Sequence, residues 1–313
     1  FFKQKTAYEI GVRLVGSEMC IRDRAIASTN EDSIRAKFDD DGYVVLPTVF
    51  NDDEIAVMQQ EADFILDLII NSSLFHERQS RRLDIRRNKA GMVVRKIQPI
   101  IDLSLSLSRV SRDERLIGAM RTLMHDEPVL MEEKLNYKQP VPVMDFFQVP
   151  EDDDRFPIHN DYAYYLFNGY PDSIISSAIT IDDCHAGNGT IQVFPGTHRS
   201  HTQHERVRNG LEVRAGTVEM ANAVPLEVPA GSVVLFHSML LHTSLPNDSD
   251  GPRRMMIYSH YPKAANMGID IRNGPMRLVE SPWEWGYLRD RPSDWQVPFK
   301  VDPADKKTAK AVT

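Results

Sequence analysis

The sequence predicts a mainly β fold with flanking helices, a sandwich or a barrel, on three observations. From about residue 128 onward, short β-forming runs recur between Pro and Gly turn signals, the pattern of many short strands rather than of βαβ units. Only one strongly helical period precedes them: Ile55, Met58, Ala62, Ile65, Leu66 and Ile69 fall on one face. At 313 residues and 42% hydrophobic content the chain can bury a large core.

Taken in order, Ser28 to Lys37 can begin a helix, and Gly42-Tyr43-Val44-Val45-Leu46 reads as a short strand rich in β-formers. Asn51-Asp52-Asp53-Glu54 supplies a capping signal for an amphipathic helix over 52–71, and a second helix is expected at 112–124. Strands are expected around 129–138, 142–149, 156–166, 174–182, 190–194, 225–228, 232–237, 239–244 and 254–261. The tail around Trp283, Trp285 and Trp295 is expected to pack back over the β core. No internal repeat or low-complexity segment interrupts the chain.

The formal net charge of -8 and the pI near 5.7 argue against a general nucleic-acid binder and point to small-molecule chemistry. Cys20 and Cys184 are too few for a disulfide framework or a thiolate metal site, which fits a reducing compartment. No apolar stretch approaches the length of a bilayer span, so the expectation is a soluble, cytoplasmic protein with no membrane partner. Residues 1–24, which include Cys20, have no continuous apolar core and are not read as a signal peptide. They resemble translated adapter read-through, the other reading being a native N-terminal helix; residues 25–313 are then expected to form a single domain.

The chemistry-bearing pattern is His159-Asn160-Asp161 followed far downstream by His242. In an extended strand residues two apart share a side, so His159 and Asp161 can face one metal. His242, from another strand, can complete a two-His, one-carboxylate face of the kind that holds non-haem iron. It follows the apolar run Val233-Val234-Leu235-Phe236, and Arg253 lies eleven residues beyond it near the start of a further strand, where a guanidinium could hold the far carboxylate of a dicarboxylic co-substrate. Ser244 shares the face of His242, while Asn136 and Lys138 share a strand face from which they could reach the same co-substrate.

Five segments in order and spacing make the pattern specific. They are Phe38 to Pro47, Glu133 to Lys138, His159 to Tyr162, Gly187-Asn188-Gly189-Thr190 through Pro195-Gly196-Thr197-His198, and Gly231-Ser232-Val233-Val234 through His242, Ser244, Asn247 and Pro252-Arg253-Arg254. Across roughly residues 34–262 the chain resembles the phytanoyl-CoA dioxygenase family of Fe(II)/2-oxoglutarate oxygenases, which includes the ectoine hydroxylases. The resemblance implies a double-stranded β-helix, or jelly roll, with Fe(II) on His159, Asp161 and His242 and 2-oxoglutarate on Arg253, aided by Ser244. It implies oxidation of a small molecule with O2 and release of succinate and CO2. Related halogenases carry Ala or Gly at the carboxylate position, so Asp161 implies hydroxylation or another oxidation instead.

Two other classes stand beside this reading: a zinc- or manganese-dependent isomerase or hydrolase on the same scaffold, and a catalytically silent binding module. Neither needs a 2-oxoglutarate clamp, so Arg253 discriminates against both. His198, His201 and His204 with Glu205 have zinc-like spacing, but their position after Pro195-Gly196-Thr197 reads as a solvated loop. Asp182-Asp183-Cys184-His185 reads as a turn, and Glu151-Asp152-Asp153-Asp154 as an exposed loop. The run from Arg78 to Lys96 carries eight basic residues against Glu77 and Asp84, which is either a solvated helix face and loop or a lid that clamps an anionic substrate. The substrate itself is left open among acyl-CoA, free amino acids, ectoine-like osmolytes and natural-product scaffolds. No signal in the chain fixes the oligomeric state.

Overall fold

A computed structural model describes residues 31–301 apart from 89–90 and 268–273, so residues 1–24 lie outside the described residues. Helix α1 (Glu31–Asp41) and strand β1 (Tyr43–Leu46) lead into α2 (Asp52–Phe75). Asn51 starts α2 as its capping signal predicts: its side chain accepts from the Glu54 N–H at 3.0 Å, and the Glu54 carboxylate accepts from the Asn51 N–H at 2.9 Å. There follow β2 (Leu83–Asn88), β3 (Gly91–Ile97), α3 (Leu105–Val110), α4 (Glu114–Met124), β4 (Pro128–Val141), β5 (Phe156–His159) and α5 (Tyr162–Tyr165). The second half holds β6 (Ile175–Thr180), β7 (Ile191–Val193), β8 (His204–Val207), β9 (Gly210–Val213), β10 (Val224–Pro225), β11 (Val233–His237), β12 (His242–Ser244), β13 (Met255–Pro262) and α6 (Gly274–Asp290).

The strands form an antiparallel seven-stranded sheet in the order β1-β11-β6-β13-β4-β3-β2 and a four-stranded sheet in the order β10-β7-β12-β5, with β8-β9 as a separate hairpin. The two larger sheets form a jelly roll. Strand alternation divides the core into two layers. Val233, Leu235, Met256 and Tyr258 turn to the helical side, where Ile65, Leu66 and Ile69 of α2 cover them. Val234, Phe236, Met255 and Ile257 turn inward and meet Ile191 and Val193 of the smaller sheet. The central strands are therefore buried on both faces, which is why they read as unbroken apolar runs.

Four sequence expectations are corrected. Residues 142–149 form an irregular segment with one turn at 145–146, not a strand, and the 156–166 strand ends at His159, where the chain bends into α5. The basic run is neither a helix face nor a simple loop. It builds the β2–β3 edge of the large sheet, and two of its arginines are anchors: Arg78 pairs with Glu280 at 2.8 Å, and fully buried Arg82 with Asp102 at 2.7 Å and Glu284 at 3.3 Å. These bonds fasten α6 to the sheet. Of the acidic stretch, Asp154 is buried and accepts from the Asn247 N–H at 3.1 Å. Among the described residues no helix is long and apolar enough to cross a membrane.

Buried imidazoles make this core sensitive to acid. Burial holds His159 down to about 3, and His237 and His260 each down to about 4. An unfolded chain protonates these groups near pH 6.5 while the fold does not, so stability is full above that pH and falls below it, by about 1.4 kcal/mol per pH unit per histidine. Urea unfolding of the metal-free protein between pH 7.5 and 5 should show this loss, and His260→Leu should remove its share of the slope. A stability flat across that range would refute the account.

Candidate active site

The register of the small sheet brings the two histidines together. β5 and β12 pair with His159 opposite His242, and the imidazole centroids lie 4.4 Å apart. Each ring is held by its own backbone: His159 Nδ1 lies 2.7 Å from the Pro157 carbonyl and His242 Nδ1 lies 3.0 Å from the Leu240 carbonyl. With Nδ1–H donating to those carbonyls, both Nε2 lone pairs are left to face one point. Burial, and next the neighbouring His242, keep His159 neutral to about pH 3, the form a metal requires.

Asp161 reaches that point by a different route from the one the sequence suggested. It does not lie in a strand; its backbone is right-handed helical (φ -64°, ψ -31°) and stands directly before α5. Its Oδ1 lies 3.8 Å from His159 Nε2 and 4.0 Å from His242 Nε2, and one ligand atom from each of the three residues fits within 4.8 Å of the others. Asn160, fully buried, fixes this bend. Its side-chain oxygen accepts from the Ala163 N–H at 3.0 Å, and its own N–H donates to His204 Nε2 at 3.1 Å. The Tyr162 N–H donates to the Ser238 carbonyl at 2.9 Å. Two imidazoles and a carboxylate on one face, with the other side open to a cleft, match the donor set of non-haem iron.

That cleft, about 340 Å³, is lined by all three residues and by Arg253, Ser244 and Asn136. Arg253 is 0% exposed, yet among the described residues its Nε and Nη2 have no hydrogen-bond partner, and its Nη1 has only the Met255 sulfur at 3.9 Å. Its neighbour Arg254 points to the opposite face and is fully engaged, by Asp182 at 2.7 Å and by Asp63 of α2 at 2.6 Å. Ser244 Oγ and Asn136 Oδ1 are likewise buried without partners among the described residues. Orphaned polar groups of this kind are costly unless a ligand satisfies them. A dicarboxylate with one end at Arg253 fits that demand.

Lys138 does not join them. Its backbone is left-handed (φ 41°), it is absent from the cleft lining, and its ammonium meets the Leu245 carbonyl, with Asp154 at 3.6 Å. Lys134, two strand periods nearer the metal point, lines the cleft instead, between Glu132 at 3.2 Å and Asp161 at 3.9 Å.

Of the His198, His201 and His204 cluster, His204 braces the metal turn through Asn160, a contact that spacing alone does not announce. The β8–β9 hairpin carrying it also donates the Leu211 N–H to the Tyr164 hydroxyl at 2.8 Å. Gly210 is required there: its φ is +140°, and a Cβ would stand 2.5 Å from that hydroxyl.

The comparison with known proteins agrees with this geometry. The chain is 26% identical over 301 residues to the ectoine dioxygenase of Sphingopyxis alaskensis, covering 88% of this chain and 86% of that one. It is 22% identical over 291 residues to the L-proline trans-4-hydroxylase of Streptomyces griseoviridis, covering 86% and 96%. Its fold is similar, with a TM-score of 0.55 and 16% identity over 74% of this chain and 83% of the other, to the epimerase SnoN, solved in complex with Fe3+, alpha ketoglutarate and nogalamycin RO. The profile of the phytanoyl-CoA dioxygenase family matches residues 38–255, a span that runs from the end of α1 past the two histidines, the aspartate and the orphaned arginine, and the chain belongs to that family.

Proposed function

We propose that the protein is an Fe(II)- and 2-oxoglutarate-dependent oxygenase that hydroxylates a small molecule. His159, Asp161 and His242 hold the iron, and Arg253 receives the distal carboxylate of 2-oxoglutarate with Ser244 beside it. Bound iron, 2-oxoglutarate and O2 supply the oxidising chemistry: one oxygen atom ends in succinate, formed with CO2, and the other in the hydroxylated product. The chain's own residues bind and orient. The Pro157 and Leu240 carbonyls fix the imidazole tautomers, the Asn160–His204 bond fixes the carboxylate turn, and Asn136 offers an oxygen to a donor in the cleft.

The observation that carries this reading is the fully buried, partnerless guanidinium of Arg253 in the same cleft as the three metal-facing groups. A non-oxidative zinc- or manganese-dependent isomerase or hydrolase, which takes no 2-oxoglutarate, would have no use for it. Anaerobic addition of Fe(II) and 2-oxoglutarate should give the weak visible charge-transfer band of a chelated keto acid, and O2 should then convert 2-oxoglutarate to succinate. No band and no 2-oxoglutarate binding would overturn the proposal.

A further inference from the structure

On an acidic chain the cleft is basic. Besides Arg253 its lining includes Arg86, Arg95, Lys96, Lys134 and Arg206, against the carboxylates of Glu132 and Asp161. Most of these cations are already matched. Arg86 and Arg95 share Asp84 at 3.1 and 2.6 Å, and Lys134 lies between Glu132 and Asp161. Lys96 is different. Among the described residues it forms no ion pair, and its ammonium has one long contact, the Gln98 side-chain oxygen at 3.4 Å.

Its position follows from the strand it sits on. The β2–β3 register shifts between Asp84, opposite Lys96, and Ile85, opposite Val94, which leaves Arg95 as an extra residue on β3, a bulge that lets the consecutive residues Arg95 and Lys96 both line the cleft. Arg95 is then occupied by Asp84, the Arg155 carbonyl at 3.2 Å and the Phe156 ring at 4.6 Å, so Lys96 is the cation the bulge leaves available. Lys96 pairs across the sheet with Asn136, and Asn136 with Met255, two residues from Arg253. Two strand spacings, about 10 Å, thus separate Lys96 from the strand beside the 2-oxoglutarate clamp. One dicarboxylate held at Arg253 and at the metal leaves Lys96 unanswered. Lys96 and Gln98 also line a second cleft with Arg81 and Met276, so a ligand at Lys96 has room on either side.

Resting on the oxygenase reading above, we propose that Lys96 is the subsite for an oxyanion group, carboxylate or phosphate, of the primary substrate. The reacting carbon then lies toward His159, Asp161 and His242, and the charged group toward the β2–β3 edge. Burial, with Lys134 next, pushes the Lys96 ammonium down to about 8, as befits a cation whose counter-ion arrives with the ligand.

The test uses the full chain with Fe(II) and 2-oxoglutarate and a panel of matched pairs: carboxylic acids with their primary amides, and phosphate monoesters with their parent alcohols. Binding is read as a change in the anaerobic charge-transfer band, and turnover as succinate released above the basal rate. Only ionised members should bind and stimulate, and the arm that does so identifies carboxylate or phosphate. Lys96→Gln should raise the KM of the ionised member about tenfold or more relative to its effect on the neutral partner, and Lys96→Arg should restore much of it. Equal effects on both members, neutral members that bind as well as ionised ones, or a panel in which no ionised member binds would overturn the subsite. A wild-type protein that fails to bind 2-oxoglutarate overturns the oxygenase reading and this inference with it.

Discussion

Arg253→Met is expected to weaken 2-oxoglutarate binding roughly 10- to 150-fold, the range of a charge-assisted contact of about 1.5–3 kcal/mol, while leaving the ligand-free protein at least as stable as wild type. The two effects have one cause. In the ligand-free fold the guanidinium is desolvated, which lowers its pKa, and two of its nitrogens have no acceptor among the described residues. Exchanging such a group for an apolar side chain of similar length removes a penalty rather than a bond. The adjacent arginine should behave in the opposite way. Arg254→Met strips a buried cation from Asp182 and Asp63 and should lower stability by about 3–5 kcal/mol. Titration of 2-oxoglutarate into the Fe(II) protein, with thermal unfolding of both apoproteins, separates the cases. Equal 2-oxoglutarate affinity in Arg253→Met and wild type would remove Arg253 from the clamp.

The contrast between those two arginines also shows what sequence can carry. Alternation along a strand assigns neighbours to opposite faces, and Arg253 and Arg254 do part in that way just ahead of β13, one to the cleft and one to α2. The long helix and the doubly buried strands were legible for a similar reason, since their periods are set by burial on fixed faces. Legibility failed where the backbone leaves its period. At Asp161 a helical turn replaces the strand, and at Lys138 a left-handed residue takes the side chain out of the row that Lys134 and Asn136 follow. The β3 bulge at Arg95, formed against β2, is a third such break. Charge patterning failed for another reason. Arg78, Arg82, Arg86 and Arg95 look alike in sequence, yet their partners at Glu280, Glu284, Asp102 and Asp84 decide which are anchors, and all but Asp84 lie beyond the run.

His242→Ala and His159→Ala should each abolish the charge-transfer band of the Fe(II)–2-oxoglutarate protein, the largest effect expected at this site. Loss of a group that merely supports a ligand typically costs 10–100-fold in metal affinity, and these variants remove a donor outright from a set of three. Either change also removes the partner of the facing ring, since the two imidazoles are register neighbours 4.4 Å apart. Stability should respond much less. His159 is buried and held neutral at a cost in acid, so its alanine variant should lose less stability between pH 6.5 and 5 than wild type does. Asp161→Ala tests the third position independently, because its carboxylate stands 3.8 and 4.0 Å from the two Nε2 atoms and 3.9 Å from the Lys134 ammonium. Removing it leaves a cation facing the metal point with no intervening charge, so iron affinity should fall further than loss of one neutral ligand accounts for. Titration of Fe(II) into each variant, read by the band and by metal retained after desalting, gives the order. A band unchanged in any one variant would take that residue out of the metal site.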